Sequence, residues 1–519
     1  MNKLDKTKLF NKAMKLHNEG KLDEADQIYQ SVLKYDADNF VANYFHGCVL
    51  SEKSQFQDAI KYLKKALNLK PDNYETNNNL GIVYKKLNDY RNAKECFLKA
   101  ISINENNFRA YFNCANLYFD EKKYDQAIEF FNKTITHNDS FGEVYHLLGV
   151  TYQEQYKIDR NTEHLIKARD HFKSAIMYNP SNPDPLSALG KTFLWSGDIK
   201  EANKLFKKAC LLKYSDKIIF SKYIERYLSN KDLLPVLIKH EYEQLTFIKE
   251  NTNGADFPKL EKKYYDELKK LYSKIKNGDF KIEDVTHPMK IKISQILCNN
   301  PPKESLTNFV NKKNNINSLE SEYLSKIPEL VVIDNFLNEE VVTELQKFCL
   351  NANIFKYPYK NGYLGAFLSE GLSNEFVLKL SEDVRLTFKN IFKDLKLIQA
   401  WIYKYDNTEK GISVHADQAK VNLNFWITPD QANLDSTSGG LKVWNKIPPE
   451  DWGFDDYNSD LRAPEINKFL SENKATKRIV PYRGNRAVLF NSKLLHATDD
   501  LNFKDSHEDR RINVTFLYD

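Results

Sequence analysis

The sequence predicts a multidomain chain: an all-α array of helical pairs in its first part and an all-β unit in its last. Three observations carry this. Small and apolar residues recur at a fixed period through residues 1–216. Short aromatic and β-branched runs, separated by polar and glycine-bearing breaks, dominate from about residue 328 to the end. The length of 519 residues exceeds what one hydrophobic core organises, so two or three domains are expected.

The repeats begin at once. LDEADQIYQSVL, FQDAIKYLKKAL, YRNAKECFLKA and YDQAIEFFNKT carry small residues at Ala25, Ala59, Ala93 and Ala127, each 34 positions after the last. The preceding helix of each copy has its own small residue at Ala13, Gly47, Gly81 and Ala115, followed three positions later by Leu16, Leu50, Tyr84 and Tyr118. A fifth copy (Gly149, Tyr152) has its second helix displaced by an insertion at QYKIDRNTEHL and resumes at Ala168, Phe172, Ala175 and Pro180. A sixth runs from about 183 to 216, with Gly190, Phe193, Ala202 and Phe206. These copies resemble the tetratricopeptide repeat, a helix-turn-helix unit whose small residues let two helices approach closely. The resemblance implies a superhelix over residues 1–216 with a concave face that takes a protein or peptide partner. Candidate groove residues are Asn78, Asn79, Lys85, Lys86, Arg109, Asn113 and Asn116, with amides for a peptide backbone and cations for acidic side chains.

Residues 217–327 read as a helical cap on the repeat stack followed by an Asn-, Lys- and Ser-rich linker. His240 and His287 fall here and read as structural or exposed. The β-rich unit, 328–519, opens with ELVVIDNF and continues through two helical stretches, LNEEVVTELQKFCLN and NEFVLKLSEDVRLTFKNIF.

The chemistry concentrates at His415-Ala416-Asp417. A His and an Asp two residues apart on an extended segment project from one face. With a distant second His they make a facial triad, which leaves open positions on a ferrous ion for a co-substrate and dioxygen. After residue 328 the histidines are His415, His496 and His507, and His496 follows the strand-like RAVLF. In the closing run RINVTFLYD, Arg511, Asn513 and Thr515 share one face, and Ile512, Val514 and Phe516 share the other. Arg511, 15 positions after His496 (511 − 496), can reach into the barrel and hold a carboxylate bidentately.

These residues resemble the 2-oxoglutarate- and Fe(II)-dependent oxygenases, in particular a prolyl-hydroxylase-like, bacterial branch that carries tetratricopeptide repeats. The matching pieces are ELVVIDNFLNEEVVTELQKF, the run ending in Tyr405, His-x-Asp, SGGLKVW, His496 and Arg511-Ile512-Asn513. The resemblance implies a double-stranded β-helix (jelly roll) with helices packed outside. It implies Fe²⁺ on His415, Asp417 and His496, and no catalytic residue beyond that metal site. It also implies 2-oxoglutarate as co-substrate, its far carboxylate on Arg511 with Tyr405, Asn513 and Asn424 beside it, O₂ as oxidant, and ascorbate as an auxiliary reductant. Asn422, Asn424 and Trp426, alternating after the ligands, are expected to line the pocket. Two features depart from the family: 81 positions (496 − 415) separate the ligands, with an insert around Pro448 to Lys477, and Asp-Asn-Thr follows Tyr405 where many relatives have Pro-Gly. Trp444, Trp452 and Tyr457 around the insert read either as substrate-stacking aromatics or as a mini-core that pins it.

Composition adds exclusions. A net charge of +5 with interspersed signs and no basic arm gives no footprint for nucleic acid. The absence of an eighteen-residue apolar run or an N-terminal apolar core points to a cytoplasmic protein without a membrane partner. Six cysteines without CxxC spacing predict reduced side chains rather than a framework. The sequence assigns no oligomeric state. The expected activity is hydroxylation of a C–H bond on a protein recruited by the repeats. The alternatives are action on a small molecule or glycan, with the repeats used for assembly, and a scaffold with an inactive barrel.

Overall fold

The computed structural model describes residues 3–214, 227–251, 262–297, 299, 301–302, 305–406, 411–458 and 462–519. Asn407 and Thr408 after the Tyr405 run, Cys298, and the start of the expected cap (217–226) lie outside them. The described residues form two compact units, Met1–Pro180 and Ser181–Asp519.

The first unit is five helical pairs: α1 (Lys3–Asn18) with α2 (Leu22–Tyr35), α3 (Phe40–Glu52) with α4 (Phe56–Leu69), α5 (Tyr74–Lys86) with α6 (Tyr90–Ile103), α7 (Phe108–Asp120) with α8 (Tyr124–His137), and α9 (Gly142–Asp159) with α10 (Thr162–Tyr178). Local chemistry repeats with the period. Asn39, Asn73 and Asn107 each cap a first helix by accepting a backbone N–H three residues on. The small residues are small for a stated reason: a Cβ on Gly81 would lie 2.6 Å from Phe97, and one on Gly149 would lie 2.5 Å from Phe172. The fifth-copy insertion makes no long loop. It lengthens both helices, α9 to 18 residues and α10 to 17, against 13 and 14 in the preceding pair.

The boundary differs from the sequence expectation. The sixth pair, α11 (Asp184–Trp195) and α12 (Ile199–Lys213), belongs to the second unit. Trp195 is buried and donates its indole N–H to Leu397 O at 2.7 Å, and Asn203 accepts from Ser373 Oγ at 3.1 Å. A repeat marker sets how two helices pair, but it does not set what the pair's other face packs against. The expected cap on the repeat stack likewise packs on the β unit. Helix α13 (Leu234–Asn251) offers Lys239 to Asp406, Glu241 to Lys356 (both 2.7 Å) and Glu243 to Arg510. Polarity that suggested a solvated face is spent on buried partners.

The β unit has a seven-stranded antiparallel sheet in the order β1-β8-β5-β10-β4-β3-β2 and a three-stranded sheet in the order β7-β6-β9. The strands are β1 (Leu330–Ile333), β2 (Tyr357–Pro358), β3 (Tyr363–Phe367), β4 (Leu397–Tyr405), β5 (Val421–Trp426), β6 (Leu441–Trp444), β7 (Lys477–Val480), β8 (Ala487–Asn491), β9 (His496–Thr498) and β10 (Ile512–Tyr518). The large sheet's outer face, including Ile512, Val514 and Phe516, joins a core shared with the helices Glu339–Asn351 and Glu375–Thr387. Among the described residues, no helix is long and apolar enough to cross a membrane. Cys48, Cys96, Cys114, Cys210 and Cys349 are free thiols, and burial pushes the Cys349 thiol up to about 12.

Candidate metal centre

Three segments meet at one point between the sheets. His415 forms an isolated antiparallel bridge to His496 of β9, and Asp417 N–H continues the pairing to Ser492 O at 3.1 Å. The ligating atoms of His415, Asp417 and His496 lie within 4.8 Å of one another, the one such group among the described residues. Each imidazole donates through Nδ1 to a backbone carbonyl two residues earlier, His415 to Ser413 O and His496 to Leu494 O, both at 2.8 Å. A carbonyl only accepts, so Nδ1 carries the hydrogen and each Nε2 keeps its lone pair for the centre. Asn422 of β5 donates Nδ2–H to Asp417 Oδ2 at 2.7 Å. This is the donor set of a two-histidine, one-carboxylate site.

The centre opens on a cavity of about 310 Å³. One end is set by Arg511, the residue before β10. It is 2 % exposed, and no carboxylate pairs with it among the described residues. Its guanidinium donates Nε–H to Gly439 O at 2.7 Å and Nη2–H to Gly440 O at 3.1 Å, with Tyr405 and Trp426 rings 4.7 and 5.5 Å away. Nη1 has no partner. Burial depresses the Arg511 pKa, and Tyr405 and Tyr482 act in the opposite direction. A buried guanidinium remains charged, and its Nη1 is able to donate to an anion in the cavity.

The strand register brings the expected residues together. Asn513 pairs with Tyr403 and Trp426, and Thr515 with Trp401 and Asn424. Tyr405, Asn424, Asn513 and Arg511 all line the cavity with the three ligands. Asn424 and Asn513 each spend Nδ2 on Thr515 Oγ1, at 3.3 and 3.0 Å. Trp426 departs from expectation: it lies fully buried between Arg511 and Tyr482 and does not line the cavity. It packs instead with Leu441, Val443, Val480 and Phe490 in the core between the sheets. Trp452, Trp444 and Tyr457 pack around Ile466 and Leu470 with Ala416 and Leu495, so the insert is pinned to the ligand segment.

Other wall residues carried no signal that the motif reading used. Thr498, two positions after His496, lies 3.5 Å from the Tyr405 hydroxyl; strand alternation from His496 points to it. Trp401 and Tyr403 precede Tyr405 at the same two-residue spacing. Gly439 and Gly440 sit in the SGGLKVW match, and a Cβ on Gly440 would lie 1.9 Å from Val480 O. Asn458 donates to Ala416 O at 2.7 Å and joins the wall from the insert. Tertiary folding alone brings it there.

In the groove region of the first unit, Asn113 donates to Asn78 across successive copies at 2.8 Å, and Asn79 donates to the Tyr44 hydroxyl at 2.9 Å. Lys85 is paired with Asp120 at 2.8 Å, contrary to the expectation of a cation awaiting an acidic ligand. Lys86 is exposed, and Arg109 lies over the Phe108 ring at 5.5 Å.

Comparison with known proteins supports the first unit. The tetratricopeptide repeat family model matches residues 74–107 and 108–141, and a second TPR repeat model matches 47–88. The chain is similar to the solved structures of MamA protein (25% identity, 34% of this chain and 93% of that chain, TM-score 0.29) and of YrrB, a TPR protein with an unusual peptide-binding site (16%, 37% and 94%, TM-score 0.30). It is also similar to pilF of Pseudomonas aeruginosa (17%, 41% and 93%, TM-score 0.36). Compared with curated protein sequences, the chain finds no match. The repeats are tetratricopeptide repeats, a unit that suits a protein-interaction scaffold.

Proposed function

We propose that residues 181–519 are an Fe(II)- and 2-oxoglutarate-dependent oxygenase of the double-stranded β-helix type, which hydroxylates a C–H bond of a polypeptide recruited by the repeats. The observation that carries the reading is Arg511: a buried cation that no carboxylate contacts as an ion pair among the described residues, with an orphaned Nη1, on the wall of the same cavity as His415, Asp417 and His496. A metal site alone needs no such cation. A co-substrate with a carboxylate at its far end does.

On this reading the two Nε2 atoms and the Asp417 carboxylate hold Fe²⁺, and Asn422 fixes the carboxylate's orientation. Arg511 takes the far carboxylate of 2-oxoglutarate through Nη1 while Gly439 and Gly440 hold its other nitrogens, and Tyr405 and Thr498 flank the path between. Bound there, iron and 2-oxoglutarate supply O₂-dependent C–H hydroxylation, with release of succinate and CO₂. No further acid or base is needed from the chain.

The test is formation of succinate from 2-oxoglutarate by the full chain with Fe²⁺ and O₂. The expected result is Fe²⁺-dependent turnover that His496→Ala abolishes. Metal binding without any 2-oxoglutarate consumption overturns the reading and leaves a metal-bearing scaffold.

A further inference from the structure

Phenol rings run in contact from the cavity of the three ligands to a second cavity. Tyr405, whose hydroxyl lies 3.5 Å from Thr498 Oγ1, stacks on Tyr363 at 5.2 Å and 28°. Tyr363 stacks on Tyr359 at 4.4 Å and 11°. Tyr403 lies alongside, edge-on to Tyr405, Tyr363 and Tyr359 at 6.4, 5.2 and 5.7 Å. Register and one turn bring them together. Strands β3 and β4 pair Tyr363 with Tyr405, Tyr403 shares the Tyr405 face, and Tyr359 N–H donates to Tyr363 O at 2.9 Å as the chain turns back. All four line the cavity of His415, Asp417 and His496. Tyr359 is half-buried and, with Tyr357 6.2 Å beyond it, also lines a cavity of about 300 Å³ rimmed by exposed Lys360.

Packing alone does not call for phenols here. Phe fills nearly the same volume without taking a hydroxyl out of water, and Tyr405, Tyr363 and Tyr403 are all buried. What a phenol has and Phe lacks is an accessible one-electron oxidation. Tyr–OH gives up one electron and its phenolic proton and leaves a neutral phenoxyl radical. Electron transfer slows steeply with distance, so rings in contact pass an electron far faster than one long jump over the same span. The proposed reaction gives such a path a task. O₂ accepts four electrons; decarboxylation of 2-oxoglutarate to succinate and CO₂ supplies two, and the substrate C–H bond supplies the other two. When no substrate is bound, the remaining oxygen atom needs two electrons and two protons from elsewhere to leave as water. Otherwise it oxidises the protein around it.

Resting on the oxygenase reading, we infer that Tyr405, Tyr363, Tyr403 and Tyr359 form an electron relay that carries reducing equivalents, one at a time, from the outer cavity to the metal centre during turnover without substrate. Tyr405 gives its electron inward and its phenolic proton to the oxygen atom's path to water. Tyr363 or Tyr403 refills Tyr405, Tyr359 refills them in turn, and a small one-electron reductant such as ascorbate refills Tyr359. Each passage restores every phenol. Two passages therefore take two electrons and two protons from the reductant, and one water leaves.

The experiment uses the full chain with Fe²⁺, 2-oxoglutarate and O₂ and no polypeptide. Succinate, the electron paramagnetic resonance of freeze-quenched samples, and oxygen insertion into the chain by peptide mass spectrometry are read together. The expected result is a transient tyrosyl radical, identified by its change when ring-deuterated tyrosine is incorporated, which ascorbate quenches. Tyr363→Phe and Tyr403→Phe each leave one route. The double variant keeps every ring and removes both routes. It should slow quenching by ascorbate several-fold, inactivate in several-fold fewer uncoupled cycles and gain oxygen on residues lining the metal cavity. Its initial rate of succinate formation and its Fe²⁺ affinity should be unchanged. Tyr359→Phe, at a half-buried position, should slow quenching without abolishing the radical. Succinate formation with no tyrosyl radical overturns the inference, as does a double variant quenched and inactivated at the rates of the unaltered chain. Both results leave the oxygenase reading standing. Absence of any 2-oxoglutarate turnover removes the oxygenase reading first, and this inference with it.

Discussion

His415 and His496 exchange both backbone hydrogen bonds, at 2.9 and 2.8 Å, and their rings lie 4.2 Å apart. Main-chain pairing sets the two backbones, and the Nδ1 bonds to Ser413 O and Leu494 O, with Phe490 edge-on to His496 at 5.0 Å, set the rings. The Asp417 carboxylate is held instead by side chains, accepting from Asn422 at 2.7 Å and lying 3.4 Å from His496 Nε2. Asn422→Ala should therefore lower Fe²⁺ affinity about 10–100-fold, the effect typical of losing a group that orients a ligand, while His415→Ala should remove binding altogether. Anaerobic metal titration of the two variants reads both outcomes. Full affinity in Asn422→Ala would show that the carboxylate is oriented by something else.

Arg511 and Arg510 are neighbours with opposite environments. Arg511 faces the cavity with a free Nη1, whereas Arg510 turns out of it to Glu243 of α13. Arg511→Ala should raise the 2-oxoglutarate requirement by roughly 2–5 kcal/mol, or about 30- to 5,000-fold. Arg510→Ala should leave that requirement nearly unchanged and instead destabilise the fold by roughly 3 kcal/mol, because it strands Glu243. Burial already raises the Glu243 pKa against the pull of Arg510. Succinate kinetics and thermal melting of the two variants separate the roles. If Arg510→Ala shows the larger co-substrate defect, the assignment of the cavity-facing residue is wrong.

How much of this was legible in the residues differs from element to element. The 34-residue repeat was readable because helix pairing is local and small residues such as Gly81 mark each close approach. The alternation Arg511, Asn513, Thr515 was readable because a strand's two faces follow from a period of two. The association of α11 and α12 with the β unit was not. It depends on Trp195 reaching a carbonyl 202 positions away, and nothing in the local pattern distinguishes that helix from its five predecessors. Asn458 and the wall tyrosines escaped for the same reason. Their roles arise where separate segments meet.

The interface between α13 and the sheet carries a pH dependence of definite sign. His240 is buried with both ring nitrogens unpartnered, its ring 5.8 Å from His507, and Lys404 Nζ lies 3.1 Å from His507 Nε2. Burial, followed by the cations Lys404 and Arg510, holds both imidazoles well below their ordinary range, and burial with Arg510 does the same to Lys404. The unfolded chain therefore binds more protons than the native one. Each histidine removes stability as pH falls below about 6.5, and Lys404 does so as pH falls below about 10.4, by up to about 1.4 kcal/mol per pH unit per group. The melting temperature should fall between pH 7.5 and 5.5, and His240→Phe should flatten that fall. A melting temperature that rises on acidification contradicts the assignment.

The last prediction concerns where the chain can be cut. The motif boundary at 216 falls inside a packed unit. A chain starting at Lys217 loses α11 and α12, and with them the Trp195 bond to Leu397 O, the Asn203 bond to Ser373 and the contacts of Lys213 and Tyr214 with Glu370. It also uncovers Leu397 and Phe376, which share a core with Phe206. Loss of one large core aromatic costs about 3–5 kcal/mol, and this cut removes Phe206 together with Trp195. A chain starting at Ser181 keeps all of them. The expected outcome is that 181–519 unfolds cooperatively and binds Fe²⁺ like the full chain, whereas 217–519 does not. Circular dichroism melts and metal titration of the two chains decide it. Equal stability would show that the sixth pair rests on the β unit without supporting it. If 181–519 also oxidises its polypeptide substrate with an unchanged Michaelis constant, the five repeats removed by that cut do not recruit the substrate, because tethering would have raised its local concentration.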